Sequence, residues 1–329
     1  MRFSIIKKVS LQIFLGISIF GMTFLHSRNQ GGVTYTFSGG RFGDNLLAYL
    51  HAKWISYQEK IPLLYKPFGY SSYLVLDEKE MTYESSRHFF THTIEYSQSL
   101  RLGIERIKTR NFLYSVPYFP EDKEEQLTYS FFHFDVDWKN TEFRTIVKEL
   151  LAPKRPLATI EVPQNCISIA LHVREGGGFD TDHTRYYAPK KLPPLHFYID
   201  GLLKMLEYFK GKSIYCHVFT DAVNPESIIE NIRAGIKNNH SIVFAYRKEN
   251  NHHDSNILED FFSFFKFDAM IRPQSNFSII PSLLKDYAIL IHPKTAIIKY
   301  GSPFIDQLEI VIQDELYQKL MNDCSSNFN

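Results

Sequence analysis

The feature that most constrains this chain is the alternation in its second half, where apolar runs of strand type are separated by stretches with helical apolar spacing. Residues 166–173, 213–220, 241–246, 269–272 and 289–291 predict strands, and residues 197–209, 225–234 and 258–267 predict helices between them. The run at 166–173 is nearly continuous in apolar residues, as expected of a strand covered on both faces. Strands of that kind joined by helices imply a parallel sheet wrapped by helices.

At 329 residues the chain is long enough for two domains, each with its own core. Hydrophobic residues at 44% and charged residues at 22% are ordinary for a globular protein, and a formal charge of +1 provides no basic field for a nucleic-acid polymer. No nucleic-acid partner is expected, so an anion must be held by a local cluster. Cys166, Cys216 and Cys324 are scattered, and they form neither a disulfide framework nor a zinc spacing.

The N-terminus carries Arg2, Lys7 and Lys8 ahead of an uncharged stretch over residues 9–27, just long enough to span a bilayer. No small-residue cleavage pattern follows it, so residues 1–30 are expected to form an uncleaved signal anchor or an apolar helix. An anchor places the chain in a membrane with a translocated, Golgi-like catalytic part; a docked helix leaves a cytoplasmic protein as the alternative. Residues 33–37 predict a strand, 38–45 a glycine-rich turn, and the apolar residues from Leu46 to Trp54 a helix. Residues 61–65 predict the strand that completes a βαβ unit. Between residues 69 and 154 there is little clean periodicity, and the prolines at 153, 156 and 163 mark a boundary. The expected organisation is an N-terminal segment at 1–30, an α/β domain at 31–155 and a second α/β domain at 156–329.

In open α/β sheets ligands bind beyond the carboxyl ends of the strands. The residues found there are unusual. His172 and Arg174 alternate at one strand end, which sets an imidazole beside a guanidinium able to grip a phosphate with two hydrogen bonds. Gly176, Gly177 and Gly178 follow, then Asp180 and Asp182; Thr220 and Asp221 follow the next strand. Gln274-Ser275-Asn276-Phe277-Ser278 opens a helix with small hydroxyl and amide groups, an arrangement suited either to an anion or to an ordinary helix cap. The loop from Gly39 to Gly43 matches neither the dinucleotide fingerprint nor a P-loop.

Three segments together resemble the fucosyltransferase superfamily, which includes α1,2-, α1,6- and protein O-fucosyltransferases: Gly40-Arg41-Phe42-Gly43-Asp44-Asn45-Leu46, His172-Val173-Arg174, and residues 260–278. Their order and spacing match over residues 33 to about 290. The resemblance implies a GT-B-like α/β fold, two Rossmann-like domains facing each other across a cleft, with the donor in the C-terminal half and the acceptor largely against the N-terminal half. It implies an inverting, metal-independent glycosyltransferase using GDP-fucose as donor substrate, with no cofactor, and a glycan or glycoprotein hydroxyl as acceptor.

By the same resemblance Arg174 binds the β-phosphate, His172 supports it, and Ser275, Asn276 and Ser278 hold the diphosphate from the helix end. Gly40, Gly43, Asp44 and Asn45 contact the donor from the N-terminal loop, although the family has Asn and Gln where this chain has Asp44 and Asn45. Asp221 and Asp260 stand where the family places an acidic residue near the nucleotide, with Asp260 at the guanine edge. The general base is unassigned; Asp180 and Asp182 are the candidates, with Asp44 behind them. Asp135-Val136-Asp137 and Asp180-Thr181-Asp182-His183 imitate the Asp-x-Asp signature of manganese-dependent transferases, but a site supplied with Arg174 and two helix ends has less need of a cation, and no metal ligand is assigned. His252, His253 and Asp254 read as a solvated loop. Two other functions compete: transfer from a different nucleotide sugar, and a non-catalytic membrane-anchored carbohydrate-binding protein.

Overall fold

The structure, a computed structural model, describes residues 31–95, 111–117, 136–176, 182–237, 239, 241–249 and 251–323. It divides into two compact units: residues 1–39, 48–137 and 145–151 form one, and residues 40–47, 138–144 and 152–329 the other. The expected apolar segment at 9–27 lies outside the described residues. Among those residues no helix is long and apolar enough to cross a membrane.

In the first unit β1 (Gly32–Tyr35) is followed by the helix α1 (Phe42–Glu59), whose first residues, 42–47, cluster with the second unit. Next come β2 (Leu64–Tyr65), β3 (Met81–Thr82), β4 (His92–Glu95) and β5 (Phe112–Val116), then α2 (Thr141–Leu151), whose first residues, 141–144, cluster with the second unit. Val33 bridges Leu63 in parallel, so the expected strand–loop–helix–strand unit forms. The ladder partner of β1 is nevertheless β5, in a parallel three-stranded sheet of order β1-β5-β4, while β2 pairs with β3. The core of this unit is rich in tyrosine: Tyr35, Tyr49, Tyr65 and Tyr114 are buried. Tyr35 donates its hydroxyl to the Lys66 carbonyl, Tyr49 to Glu80 and Tyr65 to Ser71, as a buried O–H requires.

The second unit is built on one six-stranded sheet. Its elements are β6 (Ile167–Val173), α3 (Asp182–Tyr187), α4 (Leu195–Tyr208), β7 (Ile214–Thr220), α5 (Pro225–Gly235), β8 (Ile242–Tyr246), α6 (Ile257–Ser263), β9 (Ala269–Ile271), α7 (Asn276–Leu284), β10 (Ile289–Lys299), β11 (Ser302–Ile312) and α8 (Asp314–Asp323). The strand order is β11-β10-β9-β6-β7-β8, parallel throughout except that β11 runs antiparallel to β10. The expectation of parallel strands therefore holds for five, and the edge strand departs from it. The expected strand at 289–291 is only the start of β10, an eleven-residue strand that turns back at Tyr300 and Gly301, both at positive φ. Two adjacent left-handed residues suit a tight hairpin, whose twist matches the flanking strands.

Alternation along β6 sorts its side chains between two cores. Ile167, Ile169, Leu171 and Val173 pack with α4, α5 and α8, through Phe197, Leu202, Ile229, Ile232 and Leu320 among others. Ala170 packs with Phe219, Phe264, Phe267, Met270 and Tyr287 in the other cluster. Each such large apolar side chain contributes roughly 1.5–3 kcal/mol by leaving water.

The chain enters the sheet at β6, moves outward to β7 and β8, and then crosses back to lay β9 and β10 on the other side of β6. A doubly wound sheet reverses direction at such a point, and the crevice beyond the carboxyl ends of the two diverging strands is its ligand position. Here those strands are β6 and β9.

Burial also fixes protonation. His51 and His172 are held down to about 3, His217 to about 4 and His292 to about 3, in each case first by loss of hydration. An unfolded histidine binds its proton near pH 6.5, so the stability gained by keeping these neutral is complete above that value and is lost as pH falls towards 4 and 3. Asp260 acts oppositely: burial raises its carboxyl to about 6, so the folded chain holds a proton there that the unfolded chain binds only near 4. At pH 5 four histidine protons gained, less one aspartate proton released, leave a net uptake of about three protons on unfolding. A pH-stat measurement during urea unfolding reads this directly, and an uptake below about one proton would contradict the buried, neutral histidines.

Candidate active site

The switch between β6 and β9 is where the polar residues gather. His172 is the next-to-last residue of β6 and lies on its second face, with its ring against Phe264 and Phe277 at centroid distances of 5.7 and 5.9 Å. Its Nδ1 is 2.7 Å from the Ser278 hydroxyl, inside the first turn of α7. Burial lowers its proton affinity first, and the nearby guanidiniums of Arg174, Arg272 and Arg41 lower it further. The imidazole is therefore neutral at ordinary pH, offering one donor and one acceptor instead of a charge.

Arg174 follows the strand. Its backbone amide donates to the Tyr198 hydroxyl at 3.3 Å, and its Nη1 donates to the Ser275 hydroxyl at 3.2 Å. Ser275 stands at the N-cap of α7, and its carbonyl receives the amides of Ser278 and Ile279. Its side chain makes no capping hydrogen bond to the helix. The residue type favours a cap, but the hydroxyl is turned to the guanidinium. The positive end of α7 and the cation of Arg174 thus converge on one place.

A second helix start reaches the same entrance. In α1 the third residue, Asp44, accepts from the amide of Arg41 at 3.3 Å, half of a capping box. Its other oxygen accepts from Asn276 Nδ2 at 2.6 Å. Gly43 explains how the two helix starts come so close: a Cβ there would lie 2.6 Å from the Phe277 backbone nitrogen and 2.9 Å from the Asn276 carbonyl carbon. A Cβ on Gly40 would lie 2.1 Å from Asp44 Oδ2. Both glycines have steric reasons to be glycine that are independent of any ligand. Asn45, beside them, has a buried side-chain oxygen with no hydrogen-bond partner among the described residues.

Arg272, which the sequence analysis passed over, ends the run after β9 and is 6% exposed. Its Nε donates to the Ser282 hydroxyl at 2.9 Å and its Nη1 to the Pro273 carbonyl at 3.3 Å, both neutral acceptors. Burial lowers its proton affinity to about 10, so it stays charged. A buried guanidinium bonded to neutral oxygens leaves much of its field uncompensated, and His172 registers that field. An arginine within an apolar strand end is the signal that would have found it.

The acidic candidates are distributed less simply. Asp260 receives both Arg247 Nε and Nη2 on one oxygen, at 3.0 and 2.8 Å. Asp221 accepts from the Glu175 amide at 2.7 Å, which ties the end of β7 to the turn after Arg174. Asp180, the turn from Gly177 onward and Asp135 lie outside the described residues, and Asp182 is described only as the first residue of α3, not in its side chain. His252 bonds Asp254 on the surface, as expected of a solvated loop. Among the described residues no group of three His, Cys, Asp or Glu side chains is arranged to hold a metal ion.

No protein-family model and no curated protein matches the sequence. Among solved structures, the chain is similar to a mutant of FUT1 from Arabidopsis thaliana in complex with GDP, with a TM-score of 0.51 and 13% identity over 80% of this chain and 70% of that one. The fucosyltransferase NodZ from Bradyrhizobium gives a TM-score of 0.42 and 11% identity, over 86% and 99% of the two chains. POFUT1 in complex with GDP-fucose gives 0.38 and 11%, over 79% and 95%. The likeness to FUT1 establishes a shared fold: in architecture this chain is fucosyltransferase-like.

The contact between the two helix starts makes a steric prediction. Gly43→Ala should lower stability by about 1–3 kcal/mol in urea unfolding, because the new methyl meets backbone that cannot swing aside. Gly69→Ala, where a Cβ meets nothing within 4 Å, is the control and should stay within about 0.5 kcal/mol. Equal stability of the two variants would remove the close-contact role of Gly43.

Proposed function

We propose that this chain is a GT-B-like glycosyltransferase that moves fucose from GDP-fucose to a hydroxyl of a glycan or protein, with inversion and without a metal ion. The observation that carries the reading is the 3.2 Å approach of Arg174 Nη1 to Ser275 Oγ at the entrance of α7. Around it stand a neutral histidine, a buried second guanidinium and the start of another helix. That set suits a diphosphate, and the fold shared with FUT1 agrees with it.

In the proposed reaction the acceptor oxygen attacks C1 of fucose while its proton passes to a carboxylate. The bond from C1 to the diphosphate oxygen breaks, its electron pair goes to that oxygen, and GDP departs. Negative charge grows on the β-phosphate as this happens, and Arg174 with the α7 amides answers it, which is how fixed donors lower a barrier. His172, neutral because it is buried among guanidiniums, adds a hydrogen bond instead of a second repelling cation. Ser275, Asn276 and Ser278 position the phosphates, and Asp44 holds Asn276 for that purpose. Asp260 takes the guanine edge through the oxygen that Arg247 does not use. Asp180 or Asp182 is the proposed base, the acceptor lies largely, though not wholly, against residues 31–155, and residues 9–27 are the membrane anchor.

Two measurements test this. The purified chain, incubated with GDP-fucose, GDP-mannose and UDP-sugars with and without EDTA, is expected to release GDP from GDP-fucose at a rate that chelation leaves unchanged. Turnover of another donor alone would move the sugar assignment, loss of rate in EDTA would remove the metal-free one, and release from no donor would remove the transferase. Arg174→Ala should cut turnover about 100- to 1,000-fold with its thermal unfolding near wild type; unchanged turnover would displace the guanidinium from its role.

A further inference from the structure

We infer that a groove beside the proposed donor site, at the carboxyl ends of β6 and β7, binds a neutral saccharide, the acceptor of the proposed transfer; the assignment rests on that reading. The groove has a volume of about 480 Å³ and is lined by Glu175, Asp221, Asn224, Ser227, Asn231 and His252, over apolar positions that include Leu195 and Ile228. Its volume lies within the roughly 300–1,000 Å³ of ordinary ligand sites.

Three features choose the ligand class. The first is position: Glu175 is the residue after Arg174, so what occupies this groove lies one residue along the chain from the group assigned to the diphosphate. The second is charge, since the lining holds two carboxylates and neither lysine nor arginine. Glu175 is paired with Arg185, so the charge left to the lining is that of Asp221, which disfavours phosphate, sulfate and carboxylate groups. The third is the pattern of hydrogen-bonding groups. Asp221 uses Oδ1 to accept from the Glu175 amide at 2.7 Å, which orients its second oxygen, and Glu175 is held by Arg185 through both its carbonyl at 2.7 Å and its carboxylate at 2.5 Å. Asn224 spends its own oxygen on the Ser227 amide at 3.2 Å, leaving its amide hydrogens as donors. Fixed carboxylates, amides, a hydroxyl and an imidazole over aliphatic side chains complement the hydroxyls and C–H faces of a sugar ring.

A variant filled at Asn231 tests the assignment. The full-length chain and its Asn231→Trp variant are each applied to an array of neutral and sialylated glycans and separately titrated with GDP by calorimetry. Wild type is expected to retain neutral glycans and not their sialylated forms, and the variant to lose that retention at least tenfold while binding GDP as wild type does. GDP binding without glycan retention, equal retention by the variant, or preference for sialylated glycans would each overturn the groove assignment and leave the transferase standing. Failure of wild type to bind GDP would instead remove the reading beneath it. Ser227→Ala, a smaller change at the same wall, should weaken retention about threefold, so that a misfolded tryptophan variant does not decide the question.

Discussion

The entrance of α7 is the place on which the rest of the second unit depends, because it gathers polar groups at depth and must satisfy them. His172 bonds Ser278, Arg174 bonds Ser275, and Asp44 bonds Asn276, so two segments far apart in the chain, the end of β6 and the start of α1, are fastened to one helix turn. Buried polar atoms left alone cost about 1–3 kcal/mol each, which makes such a lattice either complete or destabilising. The surrounding apolar contacts, His172 against Phe264 and Phe277 above all, keep water out and raise the value of each bond. The sheet supplies the geometry: only where β9 is laid back beside β6 do the ends of two parallel strands present their following residues to one another.

How much of this was legible varied with how strongly burial writes on sequence. Strands β6, β7 and β9 were readable because a strand covered on both faces must be apolar at nearly every position, and the residues 166–173 are. His172, Arg174 and Ser275 were readable for the same reason, as polar residues standing where the apolar run ends. The hairpin β10–β11 was not, since beyond Ile289, Ile291, Pro293 and Ile305 its residues are partly or fully exposed and show no clean burial period. Strands of two residues, such as β2 and β3, are too short to show any period. Nor could chain order reveal that residues 40–47 cluster with the second unit, or that Gly43 is glycine because Phe277 lies against it. Such facts are properties of a contact across more than two hundred residues, and a turn-like glycine loop is all that the sequence displays.

Asp260 shows the complementary difficulty. A carboxylate at the right spacing was readable as a partner for a nucleobase, yet the spacing says nothing of Arg247, which takes one of its oxygens. Burial raises the proton affinity of Asp260 while Arg247 lowers it, and the balance falls on the side of burial at about 6. The guanidinium thus fixes the direction of the carboxylate more than it fixes its charge.

The charges around β6 are partitioned, and the partition gives a ligand its direction. On the β9 side stand Arg41, Arg174 and Arg272, all felt by His172, with the start of α7 among them. On the β7 side stand Glu175 and Asp221, joined through a backbone amide, with Arg185 paired to Glu175. Asp44 is an exception on the β9 side, a carboxylate among cations, and its engagements explain why it is tolerated: one oxygen caps the start of α1 and the other holds Asn276. Its charge is met by the positive end of α1 on which it sits, so it subtracts little from the field beyond. A molecule with an anionic end and a neutral, hydroxyl-rich end meets attraction at its anion only on one side of β6 and free acceptors only on the other. With β6 and its two turns fixed between, the reversed placement would set phosphate against carboxylate and sugar hydroxyls against guanidiniums.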